Sequence, residues 1–159
     1  MNYESCYVKN MLLAQSINEV REDMKPWQKC VAIYLNKKSI VSIGVNKSKT
    51  HPLLLTLGYE QSKYFSMEVF AKKKKINTFP LHAELDGYIK LLNNEFEYDC
   101  LCVYRGEDGS LPSEPCKVCS RWLSRINKLT VCFIDMNGNY VQILSEQLKG
   151  HQRNRVDEA

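Results

Sequence analysis

The sequence predicts an α/β fold, a three-layer αβα arrangement in which helices pack against a mixed sheet of five strands. Segments with apolar residues at helical spacing alternate with short apolar runs typical of strands, in the order α-β-β-α-β-α-β-β. Two connections between strands are only a few residues long, which favours antiparallel hairpins. The 159 residues predict a single domain with a full core, which we place at residues 1–150, followed by a polar, frayed C-terminal tail at residues 151–159.

The first half of the chain predicts one helix and one hairpin. A helix is expected from Lys9 to Lys25, because apolar residues recur there at helical spacing and Pro26 ends it. The recurring residues are Leu13, Ile17, Val20 and Met24. Strands at 30–35 and 40–45 follow, with a turn at 36–38 between them. We expect Trp27 and Trp122 to be core residues.

Residues 46–80 predict a long functional loop, with one short helix within it as an alternative, because structureless loops of this length are rare unless they serve a function. The loop contains a run of four lysines, Lys72–Lys75, seven residues before His82. Such a run is usually a solvated surface. Its alternative role is a rim that attracts phosphate to a nearby pocket.

The second half of the chain predicts two helices and three strands. One helix is expected over 83–96, and another begins near Cys116. The apolar positions expected on their buried sides are Leu85, Ile89, Leu92 and Phe96 in the former, and Val118, Trp122 and Ile126 in the latter. Strands are expected at 100–104, 131–134 and 140–144. Asn137-Gly138 lies between the last two, and this dipeptide is a strong signal for an antiparallel hairpin.

Composition and charge set the broad class. Lys and Arg number 22 against 18 Asp and Glu, and residues 1–80 hold 13 of the basic and 6 of the acidic side chains. That basic half favours phosphate-bearing ligands. No apolar run approaches the ~20 residues that span a bilayer, so we expect no membrane association and a cytoplasmic location, the host cytoplasm if a phage encodes the chain. The seven cysteines are an odd number, so they cannot all be paired in disulfides. Four of them lie in apolar runs, where we expect them to be small buried hydrophobic residues: Cys30, Cys100, Cys102 and Cys132.

Two short segments hold the residues best suited to chemistry. Residues 80–84 read Pro-Leu-His-Ala-Glu, and residues 113–119 read Ser-Glu-Pro-Cys-Lys-Val-Cys. Each lies at the start of a predicted helix, where free amides and the positive end of the dipole stabilise thiolates. His82, Cys116 and Cys119 offer one imidazole and two thiolates, which suit a catalytic Zn²⁺ whose fourth position is left to water.

Glu84 lies two residues after His82 and is the expected catalytic acid and base. It can take a proton from a zinc-bound water, whose pKa the metal lowers towards roughly 7, and pass that proton to a leaving amine. The alternatives for the two cysteines are a structural zinc or a redox pair. A structural zinc needs four protein ligands, and the candidates for the fourth, His51 and His151, have no local Cys or His partner.

The two segments resemble the H-x-E and P-C-x-x-C signature of zinc-dependent deaminases, and residues 29–144 are similar to the cytidine deaminase superfamily in the order of their elements. The resemblance implies the three-layer fold and a Zn²⁺ cofactor. It also implies hydrolysis of the amino group of a cytosine-type base, with release of ammonia. Residues 46–52 resemble small deaminase-like proteins encoded by bacteriophages.

The resemblance also implies contacts to substrate. Gly44-Val45-Asn46 resembles the Gly-x-Asn that reaches the sugar, although Asn46 is alternatively a turn cap. The amide of Ala83 would hold the pyrimidine carbonyl, and the carbonyl of Glu114 would receive the exocyclic amine. His51 is a further candidate to line the pocket, with a turn histidine as its alternative.

The sequence mixes hallmarks of two branches of that superfamily. The Asn137-Gly138 hairpin is similar to nucleoside cytidine deaminases, whereas histidine as the first ligand is similar to deoxycytidylate and tRNA-adenosine deaminases. The expected substrate is a free nucleotide or nucleoside: dCMP, deoxycytidine or cytidine. The alternatives are single-stranded DNA or RNA, another amino-heterocycle, and a non-catalytic zinc protein that binds nucleotides or a partner. A homo-oligomer is expected, because members of the superfamily often build pocket walls from neighbouring subunits.

Overall fold

The computed structural model describes residues 1–47 and 81–153 of the chain. The lysine run, His51 and most of the predicted long loop therefore lie outside the described residues. The helices are α1 (Glu4–Glu19), α2 (Ala83–Asn94), α3 (Lys117–Leu123) and α4 (Leu148–Arg153). The strands are β1 (Cys30–Asn36), β2 (Ser39–Val45), β3 (Cys100–Arg105), β4 (Thr130–Ile134) and β5 (Tyr140–Leu144).

The five strands form one mixed sheet in the order β2-β1-β3-β4-β5. β1 is antiparallel to both β2 and β3, β3 and β4 are parallel, and β4 and β5 are antiparallel. Both predicted hairpins are confirmed. Gly138 has φ +82°, and Lys37 and Lys38 have φ +49° and +69°, the positive values that tight hairpin turns require.

Helices cover both faces of the sheet, which confirms the three-layer fold. Alternate residues of each strand point to opposite faces. Tyr7 and Ala14 of α1 pack with Ile33, Cys102 and other residues of one face. The opposite face packs against α2, α3 and α4 in a second cluster, which includes Ala32, Leu85, Val103, Val118, Phe133 and Leu148. The candidate site lies on this second side.

The first helix runs from Glu4 to Glu19 and not from Lys9 to Lys25, so its predicted bounds are wrong. Part of its buried side is polar. Asn18 is fully buried and its Nδ2 donates to the carbonyl of Gly106 at 3.0 Å, whereas Val20 is 80% exposed. Apolar periodicity does not reveal a buried asparagine that hydrogen-bonds, and it therefore placed the helix too late.

The second helix ends two residues earlier than predicted, because Glu95 adopts a left-handed conformation with φ 55° at its C-cap. Leu92 and Phe96, predicted on the buried side, are exposed, and Leu91 is buried in their place. Trp122 is buried as predicted. Trp27 is 57% exposed, so its assignment to the core is wrong. It lies in a short turn of 3₁₀ helix, Pro26–Gln28, which precedes β1.

The end of the described chain is helical. α4 extends to Arg153, so residues 151–153 of the predicted frayed tail are helical. α4 follows a short turn, Ser145–Gln147, and packs against α3 through fully buried Leu148. The assignment of residues 1–150 to one domain stays a prediction. No helix of the described residues combines the length and the apolar character that a membrane crossing requires.

Two backbone hydrogen bonds join Lys47 and Leu81, the residues on either side of the undescribed stretch. Lys47 N donates to Leu81 O at 2.8 Å, and Leu81 N donates to Lys47 O at 2.7 Å. The chain therefore leaves β2 and returns to α2 at one place. These two hydrogen bonds hold the start of α2 next to the end of β2. His82 is the N-cap residue of α2.

Candidate active site

The starts of two helices bring the three predicted metal ligands together. His82 is the N-cap of α2, Cys116 is the N-cap of α3, and Cys119 lies in the first turn of α3. His82 Nδ1 lies 3.5 Å from Cys116 Sγ and 3.3 Å from Cys119 Sγ. One ligand atom from each of the three residues lies within 4.8 Å of the other two.

These separations fit a tetrahedral metal. Zinc bonds of about 2.3 Å to sulfur and about 2.0–2.1 Å to nitrogen, opened to the tetrahedral angle, place a nitrogen and a sulfur ligand roughly 3.6 Å apart. Both N–S distances come within a few tenths of an ångström of that value. The group is compatible with a metal ion held by three protein ligands, the number typical of a catalytic zinc site.

Glu84 is the second residue of α2 and is 5% exposed. Burial raises the pKa of its carboxyl above the usual range, while the charge of neighbouring His82 opposes that shift. The backbone of Glu84 is fixed from the sheet, because the hydroxyl of fully buried Tyr34 donates to its carbonyl at 2.6 Å. A buried carboxyl is thus held two residues after the imidazole.

Close packing between β2 and α2 sets this position. A Cβ on Gly44 would lie 2.2 Å from the carbonyl oxygen of Ala83 and 2.3 Å from the nitrogen of Gly87. Ser42 Oγ donates to the carbonyl of Gly87 at 2.8 Å. Only a residue without a side chain at position 44 permits this approach, so Gly44 of the predicted Gly-x-Asn has a structural role in placing the residues between His82 and Glu84.

A cavity of about 270 Å³ opens beside these residues. It is lined by Gln28, Cys30, Asn46, His82, Ala83, Glu84, Val103, Arg105, Ser113, Glu114 and Cys116. Six of the predicted site residues therefore share one cavity, and the seventh, Cys119, is buried behind it at the metal group. His51, the eighth, lies outside the described residues. The roles of these residues towards a substrate stay predictions.

Asn46 lines the cavity but is largely committed to its own chain. Its Oδ1 accepts hydrogen bonds from Arg21 Nη1 at 2.9 Å and from the nitrogen of Cys30 at 3.0 Å. Its Nδ2 donates to the carbonyl of Gln28 at 2.6 Å. These partners lie 16 to 25 residues away along the chain, so Asn46 forms a brace between distant segments, which differs from the local turn cap of the alternative interpretation. One N–H of the amide stays available for a further acceptor.

Sequence reasoning missed several residues of the site. Arg21 donates through Nη2 to the carbonyl of Asn46 at 2.6 Å. No pattern in the sequence around Arg21 predicts this contact. Arg105 ends β3 and lines the cavity. Its position after an apolar run, where a strand ends, was the signal that could have found it. Ser113, which is buried, donates to the carbonyl of Val103 at 2.8 Å and holds the loop before Cys116 against β3.

The C-terminal helix reaches the same loop. His151 Nδ1 of α4 lies 2.8 Å from Glu114 Oε1, whose side chain is 4% exposed. The ring of His151 also meets the ring of Phe133 of β4 edge-on, with 5.7 Å between centroids. α4 is therefore one of the supports of the loop that carries Glu114 and leads into Cys116.

Four further cysteines of the strands lie on different faces of the sheet. Cys100, Cys102 and Cys132 are fully buried on the α1 side, as predicted, and the sulfur of Cys100 lies 3.9 Å and 3.8 Å from those of the other two. They lie on the opposite side of the sheet from the cavity. Cys30, expected to be buried as well, is half-buried in the cavity wall.

The fold resembles that of a solved structure, the 1.6 Å crystal structure of cytidine deaminase from Burkholderia pseudomallei. The two chains align with a TM-score of 0.55 and 15% sequence identity, over 93% of this chain and 96% of that chain. At this identity the likeness establishes the fold. No protein-family model and no curated protein sequence matches the chain.

Proposed function

We propose that this chain is a zinc-dependent hydrolytic deaminase that converts a cytosine-type base to uracil in a free nucleotide or nucleoside. The observation that carries the proposal is the convergence of His82, Cys116 and buried Glu84 in one cavity of about 270 Å³. A three-ligand metal group with an adjacent carboxyl is the arrangement that hydrolysis of an amidine-type C–N bond requires. The fold shared with a cytidine deaminase supports the same reaction class.

His82, Cys116 and Cys119 would hold the metal. When bound, Zn²⁺ supplies a water molecule acidified enough to react near neutral pH. The two cysteines lie at and just inside the N-terminus of α3, where the positive end of the helix dipole favours the thiolate form.

Glu84 would move the protons. Its carboxylate would take one proton from the attacking water and deliver it to the ring nitrogen beside the reacting carbon. It would then take the proton of the hydroxyl added to that carbon and deliver it to the exocyclic nitrogen, so that ammonia leaves and a carbonyl replaces the amine. Cytosine and water thereby give uracil and ammonia, and the protein is unchanged. The hydrogen bond from Tyr34 to the carbonyl of Glu84 holds the backbone that carries this carboxyl.

The other cavity residues would orient the base. Ala83 is the first residue of α2, so its amide is one of the donors that a helix leaves unpaired at its N-terminus, and it would donate to the pyrimidine carbonyl. The carbonyl of Glu114 would accept from the exocyclic amine. Asn46 retains one N–H for a sugar oxygen, while the rest of its amide stays in the brace with Arg21 and Gln28.

A single-stranded polynucleotide is the second candidate substrate, and exposed Trp27 favours it. Trp27 lies next to the cavity residue Gln28, and its carbonyl accepts a hydrogen bond from Arg105, another cavity residue. Exposed aromatic rings together with cationic groups are the features on which unpaired bases stack. Conversion of an oligonucleotide with no conversion of monomers would establish this candidate in place of the first.

Ammonia release by zinc-loaded protein tests the proposal. The substrates are cytidine, deoxycytidine, CMP, dCMP and a mixed single-stranded oligonucleotide. Glu84→Gln keeps the shape of the side chain and removes the base, and we expect a loss of activity of at least about 100-fold. Glu146→Gln, an exposed carboxyl in the 145–147 turn, is the matched control and should behave as wild type. Release of ammonia from no cytosine compound would refute the proposed substrate and leave another amino-heterocycle or a non-catalytic zinc protein as the alternatives.

A further inference from the structure

The residues that line the cavity include two carboxyls and one guanidinium. Glu84 and Glu114 contribute carboxyls and Cys116 contributes a thiol. Among the cavity-lining residues that the structure describes, Arg105 is the only lysine or arginine. A substrate with a phosphate would therefore be attracted to one place in this wall.

The strand geometry directs Arg105 towards the cavity. Arg105 follows Val103 by two residues on β3, so both side chains point to the same face of the sheet, and Val103 lines the cavity. Two residues of strand advance the chain by about 6.6 Å, which takes Arg105 from the buried wall to the exposed edge. Its pairing with Cys30 of β1, also in the cavity wall, fixes this register.

One hydrogen bond orients the guanidinium. Arg105 Nε donates to the carbonyl of Trp27 at 3.0 Å. This is the one side-chain hydrogen bond of Arg105 among residues 1–47 and 81–153, so the four N–H groups of its two Nη atoms are available there. A guanidinium fixed at one corner with two free amino groups matches the two oxygens of a phosphate.

The size of the cavity agrees with a phosphate at its edge. Pockets that enclose a whole drug-sized ligand measure about 300–1,000 Å³, and this one measures about 270 Å³. The described cavity is thus smaller than pockets that enclose a whole ligand, so the end of a nucleotide that carries the phosphate would extend beyond it. Arg105 is the cation of the described cavity wall at that edge.

We propose that Arg105 forms a phosphate subsite at the mouth of the cavity and makes the substrate a cytosine nucleoside monophosphate in preference to the nucleoside. This inference rests on the proposed deaminase function. The phosphate would accept two parallel hydrogen bonds from the Nη atoms, an arrangement that the ammonium of lysine does not reproduce.

The kcat/KM ratio for dCMP over deoxycytidine tests the subsite in wild type, Arg105→Gln, Arg105→Lys and Lys9→Gln. Lys9 is an exposed cation on α1, across the sheet from the cavity, and its variant controls for net charge. We expect wild type and Lys9→Gln to prefer dCMP by about 10- to 100-fold, the range for a hydrogen-bonded charge. Arg105→Gln should lose that preference through a raised KM for dCMP, and Arg105→Lys should recover only part of it. An unchanged ratio in Arg105→Gln, or conversion of the oligonucleotide alone, would overturn the subsite.

Calorimetric titration with dCMP and with inorganic phosphate separates this inference from the function on which it rests. Binding of dCMP that weakens at least 10-fold in Arg105→Gln, without ammonia release by wild type, would support the subsite and refute the deaminase. Ammonia release with equal dCMP affinity in both proteins would support the deaminase and refute the subsite. Because Arg105 is exposed, its variants should fold, and their melting temperatures check this.

Discussion

Gly44→Ala is expected to damage the candidate site from outside the cavity. Position 44 lies in β2, and an added Cβ would meet Ala83 O at 2.2 Å, Gly87 N at 2.3 Å and Gly87 Cα at 2.8 Å. All three atoms belong to the backbone of α2, so no side chain can rotate away. Moving the oxygen from 2.2 Å to the 3.4 Å where ordinary contact begins requires about 1.2 Å.

A displacement of this size predicts two separate effects. Overpacking of a well-packed interface costs about 1–3 kcal/mol, which for a chain of this length lowers the melting temperature by roughly 2–12 °C. The oxygen that would move furthest belongs to Ala83, which lies between His82 and Glu84, and a misplacement of about 1 Å near reacting groups costs on the order of 100-fold in rate. We therefore expect a variant that still folds, with deaminase activity reduced far more than its stability accounts for.

The assay combines thermal unfolding followed by circular dichroism with zinc affinity and ammonia release at a temperature where the variant is fully folded. Gly150→Ala is the matched control, because no heavy atom lies within 4 Å of its added Cβ and the residue is helical. Alanine in a helix is favoured over glycine by up to about 1 kcal/mol, so this control should be as stable as wild type or slightly more so. Wild-type stability and activity in Gly44→Ala would show that β2 and α2 do not approach as closely as the structure has them.

Three further predictions concern the metal and its supports. Wild type should bind one Zn²⁺ per chain by mass spectrometry under native conditions, and Cys116→Ala/Cys119→Ala should bind none; metal retained by the double variant would point to the buried thiols on the α1 side. The amide of Ile134 donates to Ser113 Oγ at 3.0 Å, and Ser113→Ala removes this partner. The free energy of unfolding, measured with urea, should fall by about 1–3 kcal/mol. A fall of less than about 0.5 kcal/mol, the size usual for surface substitutions, would contradict that role. Asp86→Asn removes a buried carboxylate that faces two half-exposed lysines, so about 1 kcal/mol should be lost at low salt, and an equal loss at high salt would show that charge is not the cause.

The sheet and the metal group could be predicted because short stretches of sequence carry their signals. Asn137-Gly138 specifies its hairpin within two residues, and Cys116 and Cys119 are brought together by one helical turn. His82 joins them because the segments on either side of β3 both begin helices on the same face of the sheet. These features depend on the local pattern and on the order of elements.

The supports of the site could not be predicted, because each joins parts of the chain that are distant in sequence. His151 meets Glu114 across 37 residues, and Arg21 reaches Asn46 across 25. The bounds of α1 failed for a related reason, since buried Asn18 takes its partner, Gly106, from 88 residues away. A polar residue that is buried through a distant hydrogen bond looks, in the sequence, like a surface residue.

Asn46 shows how these contacts change the meaning of a motif. As part of Gly-x-Asn it is expected to contact the sugar, with an amide that both donates and accepts. In the structure, Arg21 and the nitrogen of Cys30 occupy its oxygen, and the carbonyl of Gln28 takes one of its two N–H groups. Asn46 can therefore offer a sugar only a single donor. The brace also ties it to Gln28, two residues before β1, so the same side chain that would touch the sugar holds one wall of the cavity in place.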